Sequence, residues 1–158
     1  MTITNSVVTI IGNPFEGWYG NLYNESKAFI YEDHVLFNKN KTTLIAYIAR
    51  EKNYTIPNSV TTIGEGAFNG CHFLTSIKIP NSVTTIGEGA FNGCYSLTSI
   101  NIPNSVTTIG KLAFNGCYSL TSINIPNSVT TIENRAFRYC IYNHRTTKTN
   151  QKYPSVNL

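Results

Sequence analysis

One motif of sixteen residues recurs along the chain at a fixed spacing in sequence. IPNSVTTIGEGAFNGC fills 56–71 and returns unchanged at 79–94, and close variants fill 102–117 and 125–140. The proline, the phenylalanine and the cysteine of each copy therefore recur every 23 residues. Self-similarity with a period between roughly 20 and 50 residues predicts a solenoid, in which each copy forms one coil and equivalent residues stack in columns.

Each coil is predicted to contain two short strands. Ile77 and Ile79 alternate with polar residues, which is the period of a half-buried strand, and a proline directly after them ends it. The run 83–86, Val-Thr-Thr-Ile, predicts a second short strand. Gly87 and Gly89 are predicted to form corners with positive φ. A lone coil would expose its apolar side chains above and below, so the coils must stack to shield them.

The charge of the chain is low and unevenly placed. Charged residues make up 13% of the sequence, about half the usual share. Residues 1–55 and 56–132 each carry equal numbers of acids and bases, so the formal charge of +4 arises in 133–158. A basic end on a neutral body favours a solvated terminus over a nucleic-acid site, and we expect no nucleic-acid partner.

Targeting segments are not evident in the chain as given. The N-terminal MTITNSVVTIIG has no basic region, and its apolar run is too short for a signal peptide. No run approaches the roughly 18 apolar residues of a membrane helix. The sequence therefore predicts no membrane insertion and, by default, a cytoplasmic location.

The spacing of the repeat is similar to that of a known family. The pattern L-x-x-I-x-I-P-x-x-V-x-x-I-x-x-x-A-F-x-x-C over 56–140 resembles the BspA-like class of leucine-rich repeats. The resemblance implies a mainly β fold, a right-handed solenoid of short parallel strands joined by turns or short 3-10 segments, with little helix. It also implies a role in adhesion or protein binding, often on the surface of a bacterium or protist.

The regions on either side of the regular repeats are predicted to differ from them. Residues 1–55 are interpreted as one degenerate coil, with Trp18 at the cysteine position, and one enlarged coil, which in the resembled family commonly has a glycine where this chain has His34. Residues 56–140 hold four repeats, the last of them partial. Residues 141–158 lose the apolar pattern and are predicted to be an irregular basic tail.

The four cysteines are predicted to be buried free thiols. Their 23-residue spacing places them on one inward column, where cysteine acts as a small apolar residue. Disulfides between neighbouring coils and a metal site are less favoured alternatives, because stacked parallel side chains hold their Cβ atoms too far apart and no C-x-x-C or paired histidine is present. No cofactor is expected.

The repetition disfavours catalysis. An active site needs several different groups at one point, whereas the copies at 79–101 and 102–124 differ at only two positions. We therefore expect a non-catalytic binding module for a protein or a glycan. The alternative is a structural spacer, or a fragment of a larger repeat array, whose ends associate.

The candidate binding surface is the outward side of the first strand of each coil. A ladder of identical polar groups suits extended contact along the stack, although such residues also serve simply as polar strand formers. Paired threonines on the other strand, such as Thr84-Thr85, form a second polar row. The outward residues that we predict to contact a partner are Ser76, Lys78, Ser99, Asn101, Ser122 and Asn124.

Overall fold

The structure, a computed structural model, describes residues 1–18 and 20–140. This part of the chain contains thirteen short strands and no helix. The strands are β1 Thr2–Ile3, β2 Tyr23–Asn24, β3 Phe29–Glu32, β4 Val35–Asn38, β5 Thr43–Tyr47, β6 Asn53–Thr55, β7 Thr62–Ile63, β8 Ser76–Lys78, β9 Thr85–Ile86, β10 Ser99–Asn101, β11 Thr108–Ile109, β12 Ser122–Asn124 and β13 Thr131–Ile132. The predicted tail, 141–158, lies outside the described residues.

Six of these strands each begin one coil, so the chain makes about six turns. We number the coils from these strands: coil 1 is 1–22, coil 2 is 23–52, coil 3 is 53–75, coil 4 is 76–98, coil 5 is 99–121 and coil 6 is 122–140. Strands β6, β8, β10 and β12 pair in parallel into a four-stranded sheet. Strands β7, β9, β11 and β13 pair in parallel within a seven-stranded sheet. The predicted solenoid of parallel strands is confirmed.

A column of phenylalanine rings runs through the core of the regular coils. Phe68, Phe91, Phe114 and Phe137 stack in sequence, with neighbouring ring centroids 5.0, 5.1 and 5.3 Å apart and rings within 8° of parallel. The first three rings are fully buried. Each stacked pair contributes roughly 0.5–1.5 kcal/mol beyond the burial of its area. The 23-residue period therefore places the largest side chains of successive coils in contact.

Serine hydroxyls add a second set of bonds between coils. Ser82 donates to the carbonyl of Val60 at 2.7 Å, and Ser105 donates to that of Val83 at 2.6 Å. These serines belong to the Pro-Asn-Ser-Val turn, so each turn is tied to the turn of the coil before it. A hydrogen bond of this kind stabilises the fold by about 1 kcal/mol. The recurrence of serine in the Pro-Asn-Ser-Val turn thus has a structural cause.

Gly87 and Gly89 are required for different reasons, and the prediction that both have a positive φ was wrong for Gly87. Gly89 has a φ of 56°, as expected, but Gly87 does not adopt a positive φ. A Cβ added at Gly87 would lie 2.9 Å from backbone atoms of coil 3, too close for any real contact. Gly87 is therefore suited to the close approach of two backbones, a requirement that the sequence pattern alone does not separate from a turn.

The degenerate first coil keeps the turns of the regular repeat. The N–H of Val7 donates to the carbonyl of Thr4 at 3.1 Å, just as Val60 donates to Pro57 at 3.0 Å. The N–H of Trp18 donates to the carbonyl of Phe15, the bond that each cysteine makes in the later coils. Strands β1 and β2 pair in parallel, as expected for successive coils.

The enlarged coil 2 departs from the parallel pattern. Strands β3, β4 and β5 form an antiparallel meander, and β5 then pairs in parallel with β7 of coil 3. The turn between β3 and β4 holds Asp33 and His34 at φ values of 47° and 60°, so the chain adopts the left-handed turn without the glycine. Leu36 and Ile45 face a separate small core with the residues of coil 1. The extra residues of coil 2 therefore join two cores.

An internal control for backbone strain exists in coils 4 and 5. Leu112 occupies the left-handed position of Gly89, with a φ of 55°, in a coil that is otherwise almost identical. The left-handed region costs an L-residue about 1–2 kcal/mol, while glycine costs about 0.5–1 kcal/mol in chain entropy. We expect Leu112→Gly to raise the free energy of unfolding by about 0.5–1 kcal/mol in urea denaturation. The reciprocal Gly89→Leu should lower it, and a stabilising effect of Gly89→Leu would contradict this explanation.

A second prediction concerns a buried amide at the end of a ladder. The Asn115 Nδ2 donates to Asn92 Oδ1 at 2.7 Å, but the buried Asn115 Oδ1 has no partner among the described residues. The next coil has Arg138 at this position, and its guanidinium instead contacts Tyr139. We expect Arg138→Asn to extend the ladder and raise the free energy of unfolding by about 1 kcal/mol. Arg138→Ala is the control, and an equal gain from alanine would exclude the amide as the cause.

Candidate functional site

The six predicted surface residues fall in two columns on the four-stranded sheet. Ser99 aligns with Ser76 on one side and with Ser122 on the other, and Asn101 aligns with Asn124. Lys78 stands at the third position of β8, at the head of the asparagine column. The structure therefore brings all six together on one outward face, which we call the polar face.

The polar face extends one strand further than the sequence analysis placed it. In β6, Asn53 aligns with Ser76 and Thr55 aligns with Lys78. Both side chains are exposed, and Asn53 Oδ1 accepts a hydrogen bond of 2.7 Å from the Ser76 hydroxyl. Positions 53 and 55 lie one 23-residue period before 76 and 78, so the sequence period could have identified them. They were missed because the coil that they begin is less regular.

Most of the polar face carries unused hydrogen-bonding groups. Ser99, Asn101, Ser122 and Asn124 are exposed. Among residues 1–18 and 20–140, none of these four side chains has a hydrogen-bond partner. Each asparagine can donate two hydrogen bonds and accept two, and each serine can do both. Lys78 is the charged residue of the two columns, so the face offers many neutral donors and acceptors in line.

The threonine row of the other sheet is different, because the first threonine of each pair already has a hydroxyl partner and the second, as at Thr85 and Thr108, is half-buried. Thr84, Thr107 and Thr130 each direct a hydroxyl to the backbone carbonyl of the equivalent threonine in the preceding coil, at 3.3–3.4 Å. These residues serve coil-to-coil stacking, which is a sufficient reason for their repetition. Of the two polar rows that the sequence offers, the polar face of the four-stranded sheet is the better candidate for a partner.

Ion pairs lie away from the polar face. Lys111 Nζ is 2.9 Å from Glu88 Oε1, and Lys41 pairs with Glu32 in coil 2. All four side chains are at least partly exposed, so each pair contributes little to stability. The one charged side chain of the two columns, that of Lys78, is in neither of these pairs.

The cysteines form an inner column of free thiols. Cys94, Cys117 and Cys140 are buried, and Cys71 is half-buried. Their Sγ atoms donate to backbone carbonyls of the preceding coil, as with Cys94 to Phe68 at 3.2 Å and Cys117 to Phe91 at 3.2 Å. Burial raises the pKa of the Cys71 thiol to about 12 and holds that of Cys94 well above its usual range. At Cys71 and Cys94 these are the properties of structural thiols and not of nucleophiles.

The histidines do not come together. His34 lies in the turn of coil 2, where its Nδ1 is 3.2 Å from the Tyr31 hydroxyl, and His72 lies at a corner of coil 3, stacked on Tyr95. His144 falls outside the described residues. Within 1–18 and 20–140, no three His, Cys, Asp or Glu residues are grouped so that they could hold a metal ion.

Family membership follows from the sequence match combined with this geometry. A family model described as the BspA type leucine-rich repeat region matches residues 46–155 in six copies. The chain belongs to this family. The leucine-rich repeat of the family accounts for the stacked coils, the inner columns and the four-stranded parallel sheet described above. No match is found among curated proteins.

Solved leucine-rich repeat structures share the fold. A leucine-rich cell surface protein of Faecalibacterium prausnitzii is 29% identical over 90% of this chain and 47% of its own, with a TM-score of 0.67. A Bacteroides ovatus leucine-rich repeat protein is 36% identical over 72% of this chain and 31% of its own, with a TM-score of 0.56. This chain thus spans about half or less of either protein. None of the described residues forms a helix able to cross a membrane.

The thiol column makes a prediction about reactivity and pH. With a pKa of about 12, Cys71 is ionised at pH 8 to about one part in ten thousand, against about a quarter for an ordinary thiol. We expect Ellman's reagent to react slowly with the folded protein and to titrate four thiols after unfolding in urea. If the folded wild-type protein reacted rapidly with Ellman's reagent and the Cys71→Ser variant did not, the Cys71 thiol would not be protected in the folded state, contrary to this prediction.

The same shift predicts loss of stability in alkali. An unfolded thiol ionises near pH 8.5, whereas folded Cys71 does so near 12, so the neutral thiol is favoured in the folded state. This contribution is complete below about pH 8.5 and is lost as the pH rises towards 12. We expect the free energy of unfolding to fall over that range, and the fall should be smaller in Cys71→Ser, which has no thiol there to ionise.

Proposed function

We propose that this protein is a non-catalytic binding module that holds a protein or a glycan along the polar face. The observation that carries the proposal is the contrast between the two polar rows. The hydroxyls of Thr84, Thr107 and Thr130 are used in stacking the coils. The side chains of Ser99, Asn101, Ser122 and Asn124 are exposed and have no partner within the described residues.

Binding fits the arrangement of the polar face better than catalysis does. Parallel pairing presents the same serine and the same asparagine at each step, so a partner meets one type of group repeatedly. Such a surface can form several weak hydrogen bonds along an extended ligand, but it does not set a nucleophile beside a base. The leucine-rich repeat fold is generally non-catalytic, and the buried thiols and separated histidines agree with that.

The comparisons support a location where such a surface would meet other molecules. The Faecalibacterium protein is described as a cell surface protein, and this chain resembles it over 90% of its length. A surface location of this chain is part of the proposal. Uncharged polar groups in rows suit the hydroxyls of a glycan or the backbone of an extended polypeptide, both of which offer repeated donors and acceptors.

The proposal can be tested with paired asparagine variants. Asn101→Lys with Asn124→Lys places two bulky charges on the polar face, and Asn104→Lys with Asn127→Lys places the same charges on exposed turns three residues further along. Ligands that the wild-type protein captures from a glycan array or from cell-surface protein extracts should bind the Asn101→Lys, Asn124→Lys variant at least tenfold more weakly than they bind the wild type. The turn variant should bind normally. Equal binding by both variants would rule out the polar face.

A second candidate function is that of a spacer in a longer repeat array. It is favoured by the fact that this chain covers only 47% of the Faecalibacterium structure, whose similar coils form part of a longer chain. This function predicts end-to-end association, because the groups with which interior coils stack are the same in every regular coil. Sedimentation velocity should then show oligomers, and a monomer at all concentrations would count against it.

A further inference from the structure

The parallel pairing of the first strands is interrupted between coils 2 and 3. Strands β6, β8, β10 and β12 form one sheet, whereas β1 and β2 form a separate sheet of two strands. Coils 2 and 3 are joined through β5 and β7 in the other sheet, but β2 and β6 do not pair. No Cα atom of β2 lies within 8 Å of a Cα atom of β6, whereas paired strands lie about 4.8 Å apart. Strand β6 is therefore an edge strand in the middle of the solenoid.

The bonds between β6 and β8 show which backbone groups of β6 point the other way. The N–H of Ile56 donates to the carbonyl of Lys78 at 3.0 Å, and the carbonyl of Lys52 accepts an N–H from β8 at 3.1 Å. Backbone groups alternate between the two sides of a strand, so those of Asn53 and Thr55 point towards coil 2. Within 1–18 and 20–140, these groups have no hydrogen-bond partner. Strand β6 thus presents two donors and two acceptors in line.

Strand β2 has an unpaired edge of the same kind. The N–H groups of Tyr23 and Glu25 donate to carbonyls of coil 1 at 3.0 and 2.9 Å. By the same alternation the backbone N–H and C=O of Asn24 point away from coil 1, and they have no partner among the described residues. Strands β3, β4 and β5 of coil 2 belong to the other sheet. The interval between β2 and β6 is therefore bounded by unpaired strand edges, and no strand of the described chain fills it.

We propose that the edge of β6 binds an extended segment of a partner protein, which adds a strand to the four-stranded sheet. The chemistry of the edge identifies the class of occupant, because N–H and C=O groups at the spacing of a strand are matched by another extended backbone. The added strand would pair with Asn53 and Thr55 in the way that each later strand of this sheet pairs with the strand before it. Its outward side chains would lie next to the polar face.

Two features of β6 favour the addition of a strand. The ring of Tyr54 lies 4.7 Å from that of Tyr47 and 6.1 Å from that of Phe68, so β6 is held in place without a second neighbouring strand. An edge that is already ordered loses little conformational entropy on binding. Strand β6 is Asn-Tyr-Thr and contains neither the proline nor the charged residue with which edge strands commonly prevent pairing. The inference uses backbone groups, so it does not depend on the proposed function of the polar side chains.

A proline substitution tests the edge while leaving the sheet intact. Thr55→Pro removes an N–H that points towards coil 2 and none that donates to β8, and proline is tolerated on the open side of an edge strand. Thr55→Val removes the same hydroxyl but keeps the N–H, so it is the matched control. Peptides selected for binding to the wild type from a phage-displayed random library should bind Thr55→Pro at least tenfold more weakly and Thr55→Val within twofold. The proposal fails if no selected peptide distinguishes the two variants.

Amide hydrogen exchange, measured by NMR on the full wild-type chain, tests the same edge without a substitution. In the absence of peptide, the Thr55 N–H should exchange at least tenfold faster than the Ile56 N–H, which donates to Lys78. A selected peptide should slow the exchange of Thr55 at least tenfold. Equal protection of Thr55 and Ile56 without peptide would show that this chain or a second copy already covers the edge, against our proposal.

A further variant separates this inference from the proposed function of the polar face. Asn101→Lys with Asn124→Lys changes β10 and β12 and leaves the edge of β6 unaltered, so the selected peptides should bind this double variant within twofold of the wild type. Loss of binding in the double variant, with binding retained in Thr55→Pro, would place the peptides on the polar face and overturn the assignment to β6.

Discussion

Pairing between successive coils in a fixed register is the constraint on which this structure depends. Neighbouring coils exchange hydrogen bonds at the same positions in every coil. Phe68, Phe91 and Phe114 donate their N–H groups to alanine carbonyls of the following coils at 2.7 Å, while serine and cysteine side chains donate to carbonyls of the preceding coil. A coil of 23 residues has no interior of its own, so these bonds and the stacked rings exist only where two coils meet. Any change in coil length must therefore be absorbed at a corner, because a shift in register would break every column at once.

Structural features that recur in every coil could be predicted from the sequence, whereas features that occur once could not. The inward columns, the strand positions and the buried thiols follow from period and polarity, because each of them recurs in every regular coil. The different duties of Gly87 and Gly89 do not follow, since a close backbone approach and a left-handed turn both require glycine. The antiparallel meander in coil 2 also lacks a repeat to align with. Asn53 and Thr55 were missed for a related reason: their coil begins in a less regular segment.

Repetition also separates structural polar residues from those available to a partner. Both the threonine row and the serine and asparagine columns look alike in sequence, as polar residues on β-strands. The difference appears only in their bonds. The first threonine of each pair directs its hydroxyl to a carbonyl of the preceding coil, whereas the outward side chains of β10 and β12 reach no partner among the described residues. A polar column in a solenoid is thus best judged by whether its neighbouring coil already satisfies it.

A surface made of identical coils has limited power to discriminate, because a ligand shifted by one coil meets the same groups. Selectivity for one partner, or for one position along the stack, requires a feature that occurs once. Among the described residues such a feature is coil 2, whose antiparallel meander of β3, β4 and β5 has no counterpart in the regular coils. The meander lengthens coil 2 on one side, and the turn from Tyr47 to Lys52 is two residues shorter than the equivalent turn from Phe68 to Thr75, yet β5 and β6 stay in register with coils 3 and 4. In a solenoid of this kind a departure from the repeat, and not the repeat itself, is therefore what distinguishes one position along the stack from another.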